Sequence, residues 1–295
     1  MIALSPDEVA MAAQLTCILE ADAWKPGNVS RKHDFADCRF EDFLVSAVAI
    51  GPAFRQAAGS PVGKIILRAV KDTRDLVGTN TNLGIAIMLA PLAKAAGTGN
   101  AGGLRAGVLE VLEGLGVEDA RMTYEAIRIA APAGLGKVER CDVSDRDVDV
   151  TLRRAMELSR DRDSLASEYV TGFELTFDLG YSTLLRLWEA GCGLSDSILQ
   201  TFLTILAGVP DSLIARKNGT ATAARVSGLA RSVLEDGGVF SEKGRRELEK
   251  FDLELRDGPH RLNPGTTADL AAAAIFVFLV EGGMLNRFKD LLKRW

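Results

Sequence analysis

Apolar residues recur every three to four positions along most of this chain, a period that leaves little from which a sheet could be built. In "SPDEVAMAAQLTCILEAD", residues 5–22, Ser5 stands where an N-cap belongs and Pro6 suits the first turn. Asp7 and Glu8 then favour the positive end of the helix dipole, and Val9, Ala12, Ala13, Thr16 and Leu19 mark one face. The same spacing returns over 41–58, 82–96, 103–115, 145–160, 164–190, 195–207, 220–236, 241–255 and 267–281. Gly97, Gly191, Gly208 and Gly237 sit where left-handed caps would end such helices. Alternating β-branched runs with hairpin turns are nearly absent. The expectation is an all-α fold, a single large multi-helix domain over 1–295, with 134–147 as its long irregular connection.

Composition excludes several classes of partner. The 295 residues can bury a sizeable core, and a net charge of -5 argues against a surface that coats nucleic acid. Cys17, Cys38, Cys141 and Cys192 lie far apart with no Cys-x-x-Cys pair, which suits neither a zinc site nor a disulfide framework and fits a reducing cytoplasm. The apolar run "LAAAAIFVFLV", 270–280, falls short of the roughly 20 residues a membrane span needs, and no signal peptide opens the chain. A soluble cytoplasmic protein with no nucleic-acid or membrane partner is expected, and its alanine-rich helices suit a homodimer. His33 and His260 are the only histidines and form no His-x-x-x-His pair. A Gly-x-Ser-x-Gly elbow, a P-loop and a dinucleotide fingerprint are all missing from the sequence. Catalysis must then use carboxylates, amides, Lys or Arg, and a metal.

Polar residues gather at helix ends. In "EADAWKPGNVSRKHDF", 20–35, Glu20 lies on the core-facing stripe of the first helix, where a carboxylate needs a partner. Lys25, Asn28 and Arg31 follow within one loop, as a salt-bridged helix end or as a working site. In "GTNTNLG", 78–84, Asn80, Thr81 and Asn82 precede an apolar helix; capping needs one of them, and three followed by Gly84 suggest an anion or sugar seat. "PDSLIARKNG", 210–219, sets Asp211 before Arg216 and Lys217 and reads as a solvated turn when taken alone. In "RLNPGTTADLAAAAIF", 261–276, Thr266 is placed to cap and Asp269 to complete a capping box. Glu174 and Asp178 share a helical face, and Asp34 and Asp37 form another acidic pair; each is a wet face or half of an Mg²⁺ site.

Taken together and in order, these segments resemble the triphosphoribosyl-dephospho-CoA synthase family. Lys25-Pro26-Gly27 is similar to its Lys-Pro-Gly loop, and "EDFLVSAVAIGPAF", 41–54, to its Asp-Phe-x-x-Ser-Ala helix. "NTNLG" resembles its Asn-Thr-x-x-Gly segment, "PDSLIARKNG" its Asp-Ser/Thr-x-x-x-Arg/Lys-x-x-Gly element, and "LNPGTTADLAAA" its Pro-Gly-x-x-Ala-Asp-Leu helix start. The chain departs from the family pattern at Asn28 and Ser30, at Asn82-Leu83 in place of His-Lys, and at Thr266-Thr267. These departures resemble a divergent branch in archaea and in bacteria with methanopterin-linked one-carbon metabolism.

The resemblance implies an all-α enzyme that joins C1′ of the ATP ribose to the ribose 2′-hydroxyl of 3′-dephospho-CoA and releases adenine. Such a glycosyl transfer passes through an oxocarbenium-like transition state. It implies Glu20 and Lys25 as catalytic groups, and Lys25, Asn28, Arg31, Asn80, Thr81, Asn82, Arg216 and Lys217 as nucleotide contacts. Asp211, Asp269, Asp34, Glu174 and Asp178 form the pool of Mg²⁺ ligands, with ATP as co-substrate. The same chemistry on a pterin or furan acceptor, an all-α Mg²⁺-dependent nucleotide hydrolase and a helical nucleotide-binding scaffold are the alternatives.

Overall fold

The computed structural model describes residues 1–132, 142–145, 147–256, 261–283, 285 and 288–295. Among these the chain is helical without a strand, and its one β-bridge joins Ser30 to His33. The first half runs α1 (Pro6–Asp22), α2 (Phe40–Ala49), α3 (Gly51–Arg55), α4 (Val62–Val77), α5 (Leu83–Thr98), α6 (Leu104–Glu113) and α7 (Val117–Ala130). Next come α8 (Leu152–Ser159), α9 (Ser164–Thr171), a π-helical segment (Leu175–Tyr181), α10 (Ser182–Glu189) and α11 (Leu194–Gly208). The chain closes with α12 (Ser212–Asn218), α13 (Thr220–Glu235), α14 (Glu242–Leu255), α15 (Gly265–Glu281) and α16 (Phe288–Lys293).

Local chemistry sets these boundaries. Ser5 caps α1 in a full capping box with Glu8. The expected helix over 41–58 divides at Gly51-Pro52 into α2, α3 and a 3-10 turn at Ala57–Gly59. The expected helix over 145–160 shrinks to α8, which Thr151 caps. The one over 164–190 breaks because Gly172 and Phe173 take φ values of 73° and 62°, ending α9 before the π segment. Gly191 and Gly237 take the expected left-handed geometry, whereas Gly97 and Gly208 lie inside helices. Helices α4, α7, α12 and α16 stand where no helix was expected. Helix α4 is strongly amphipathic, burying Val62, Ile65, Ile66, Ala69, Val70 and Thr73 beneath a charged outer face. The expected connection over 134–147 falls mostly outside the described residues, as do Cys141 and His260.

Helix α15 is the axis of the molecule. From Thr266 to Val280 every residue but Asp269 is buried, against α1, α5, α11 and the π segment. Pro91 inside α5 lacks an N–H and so leaves the Ile87 carbonyl without its helical donor. The hydroxyl of fully buried Tyr169 donates to that carbonyl at 2.6 Å. Buried Glu168 accepts the amides of Leu175 and Thr176 and the Thr176 hydroxyl, anchoring the start of the π segment. Among the described residues no single helix is long and apolar enough to cross a membrane.

Candidate active site

The loop after α1 folds back on the helix that launches it. Lys25 is 0% exposed. Its ammonium donates to the Ala23 carbonyl at 2.9 Å and to the Glu20 carbonyl, and sits 3.0 Å from Glu20 Oε1. Two carbonyls at the negative end of α1 and one buried carboxylate thus share one cation. Gly27 takes φ 73° and its amide donates to Asp252 Oδ1 at 2.8 Å. A Cβ there would come within 2.9 Å of Leu255 Cβ and 3.2 Å of Pro264 Cδ, so the glycine is where this loop meets α14 and the approach to α15. Arg256 holds the other Asp252 oxygen at 2.8 Å and the Asn28 carbonyl at 2.7 Å, while the Asn28 amide donates to the Pro26 carbonyl at 3.3 Å. Beyond this corner Arg31 pairs with Asp22 and lies 5.0 Å over the Phe40 ring, and Lys32 lies 4.8 Å over Trp24. Asp34 accepts the Phe40 amide at 2.9 Å and tethers the start of α2.

A second wall is made by the starts of α9, α12 and α15. Asp211 Oδ1 caps α12 through the Leu213 and Ile214 amides, and its Oδ2 accepts the Thr267 amide at 2.7 Å and the Thr267 hydroxyl at 2.8 Å. Burial raises its pKa, and these bonds oppose the rise. Ser212 donates to the Thr266 hydroxyl at 3.1 Å. Asp163 caps α9 with one oxygen and takes Arg216 at 2.6 Å with the other. Lys217 donates to Asn263 at 3.1 Å, and its half-burial lowers its pKa, opposed chiefly by the charge of Asp211. The segment 210–219 expected as a solvated turn is therefore a packed helix.

The third wall is the start of α5. Asn80 accepts the Leu83 amide at 3.2 Å, Asn82 donates to the Thr73 hydroxyl on α4 at 3.0 Å, and the Thr81 and Ser46 hydroxyls lie 2.5 Å apart. The three polar residues thus fasten α5 to α4 and α2. Gly84 then leaves room for Asp269: a Cβ on Gly84 would fall 2.0 Å from Asp269 Oδ2 and 2.3 Å from its Cγ. Asp269 is not the expected capping-box partner, because α15 begins at Gly265 and places it beyond the first turn.

Electrostatics single out Asp269. Burial raises its pKa well above the usual carboxylate value; the charges of Glu20, Asp211 and Asp163 push the same way, and Arg216 opposes them. Glu20, Asp211, Asp163, Arg216 and Asp269, drawn from four helices, therefore share one electrostatic neighbourhood. The other members of the expected Mg²⁺ pool are dispersed. Asp178 binds Arg105 of α6 bidentately at 2.5 and 2.9 Å, Glu174 is exposed directly before the π segment, and Asp34 and Asp211 are committed as above. Among the described residues no three His, Cys, Asp or Glu groups come together as a metal site. Asp163 and Asp252 belong to this neighbourhood and its loop but were not picked out from sequence. Asp163 stands directly before an expected helix, and Asp252 stands four residues before Arg256.

The model of the family described as ATP:dephospho-CoA triphosphoribosyl transferase matches residues 6–288. The chain belongs to this family. A Stutzerimonas stutzeri relative named 2-(5''-triphosphoribosyl)-3'-dephosphocoenzyme-A synthase is 34% identical over 106 residues, 36% of this chain and 36% of that protein, so this alignment spans about a third of the relative's length. A relative of the same name from Pseudomonas savastanoi pv. phaseolicola is 26% identical over 93% of this chain and 94% of its own. The crystal structure of a protein named triphosphoribosyl-dephospho-CoA synthase from Archaeoglobus fulgidus superposes with a TM-score of 0.63 at 26% identity, covering 81% of this chain and 99% of that one. The transferase family is thus matched in sequence and in fold.

Proposed function

We propose that this chain transfers the triphosphoribosyl group of ATP to the ribose 2′-hydroxyl of 3′-dephospho-CoA, releasing adenine. The observation that carries the reading, beside the family match, is the seating of Asp269 on Gly84. It brings the starts of α5 and α15 together beside the carboxylates of α1, α9 and α12. Charge developing on a ribose as its base departs is stabilised by carboxylates held in place beforehand, and the triphosphate needs cations. Arg31, Arg216 and Lys217 are the cations assigned to the triphosphate, and Asn80, exposed ahead of α5, is offered to ribose or phosphate oxygens. Glu20 acts electrostatically, and Lys25 and Asn28 shape the loop that holds it. Mg²⁺ enters as MgATP, because the carboxylates around Asp269 are already hydrogen-bonded or ion-paired and, among the described residues, no three His, Cys, Asp or Glu groups come together as a protein cage. This reading places the enzyme in the cytoplasm. It also carries a homodimer, with the exposed Met11, Val45 and Val48 as an apolar face and light scattering as the check.

The deciding assay mixes the protein with MgATP and dephospho-CoA and separates the bases by chromatography. Free adenine that appears only with the acceptor present is the expected result. ADP, AMP or pyrophosphate in its place overturns the reading.

A further inference from the structure

Resting on that transfer reading, we infer that Asp269 is the acid of the site, the group that hands a proton to adenine as it leaves. Every other carboxylate in the neighbourhood is already committed. Glu20 stands against the Lys25 ammonium at 3.0 Å. Asp211 accepts four hydrogen bonds. Asp163 is divided between a helix cap and Arg216. Asp269 alone among them has no hydrogen bond or ion pair with the described residues. It is half-buried, so a ligand can reach it, and Gly84 fixes where its carboxyl group lies.

The surroundings also keep a proton on it. Beside burial, Glu20 of α1, Asp211 at the cap of α12 and Asp163 at the cap of α9 favour the protonated form, and Arg216 of α12 opposes them. The other helices packed on α15 bring no free charge near its first turns. Lys94 of α5 is bonded to the Ala58 and Ser60 carbonyls, Asp178 of the π segment to Arg105, and Asp196 of α11 to Arg245. Helix α10 meets α15 at Phe278, far from Asp269 along the helix.

In the transfer the bond between C1′ and the base nitrogen breaks, and its electron pair stays with adenine. A purine nitrogen takes the Asp269 proton. The acceptor oxygen bonds to C1′ and releases its proton to water, from which Asp269 is recharged, so one proton is lost and one gained per turnover.

The test compares ATP with N7-methyl-ATP, whose purine already carries a positive charge and leaves without an acid. With dephospho-CoA as acceptor, Asp269→Asn should lose about 100-fold or more in kcat on ATP, as loss of a general acid does. On N7-methyl-ATP it should stay within a few-fold of the wild type. Gly84→Ala forces the carboxyl group off its seat and should show the same contrast, which serves if Asp269→Asn does not fold. Equal losses on both substrates, or none on either, overturn the assignment while leaving the transfer reading intact. A wild-type chain that releases no adenine from ATP overturns both.

Discussion

Replacing Lys25 with Met tests whether the buried ion pair organises this end of the molecule. Met fills the same space but leaves the Glu20 carboxylate, its side chain only 6% exposed, without a cation, and leaves the Ala23 and Glu20 carbonyls without their donor. Removing one partner of a buried pair typically costs about 3–5 kcal/mol, because the survivor stays desolvated. At about 2 cal/mol/K per residue, a chain of 295 residues unfolds with an entropy of about 0.6 kcal/mol/K. A loss of about 4 kcal/mol therefore lowers Tm by about 6–7 °C. Lys25→Met combined with Glu20→Gln removes the stranded charge and should recover about half of that loss. Calorimetry on both variants and on Glu20→Gln alone completes the cycle. A Lys25→Met Tm within 2 °C of wild type, or strictly additive losses in the double variant, would refute the account.

Two further predictions follow from the core. The native pKa of Asp269 is raised by burial and by its acidic neighbours, so the folded chain keeps a proton that the unfolded chain gives up near pH 4. Stability therefore falls as pH rises above that point towards the native pKa, by up to about 1.4 kcal/mol per pH unit. Asp269→Asn removes this dependence, so its Tm advantage over wild type should grow between pH 4 and pH 7 in a melting series; a constant difference would contradict it. Tyr169→Phe strips the Ile87 carbonyl of its donor and should cost about 1–3 kcal/mol. Adding Pro91→Ala restores a helical N–H to the same carbonyl, so the double variant should lose less than Tyr169→Phe alone by urea denaturation.

The helical class could be read from period alone, and Ser5-Pro6-Asp7-Glu8 fixed one boundary because a capping box is a local device. What escaped sequence reading was decided at long range. Helix α4 was not among the expected helices, and its inner face is buried against α2, α5 and α7. Helix α12 is short and ends in Arg216-Lys217-Asn218, which reads as a wet turn; Thr267 and Asp163 from distant segments made it a helix with fixed partners. At the site, a partner for Glu20 was expected among Lys25, Asn28 and Arg31 because only a few residues separate them, and Lys25 is the one that pairs with it. The seating of Asp269 on Gly84 was not, since nothing in either segment announces the other.

Native-state hydrogen exchange gives the architecture of α15 a further meaning. Amides in a helix buried from Thr266 to Val280, Asp269 apart, are expected to exchange only when the whole molecule opens, whereas the largely exposed stretch 31–37 of the loop is expected to open on its own far more often. Asp269 stands near the start of that helix; Lys25 to Ser30 are buried, and the outer stretch of the loop is held by the Asp34 bond to the Phe40 amide and by the Arg31 and Lys32 cations over Phe40 and Trp24. In the proposed transfer, local opening would move the outer part of this loop, while Asp269 keeps its place in a frame that relaxes only on global unfolding.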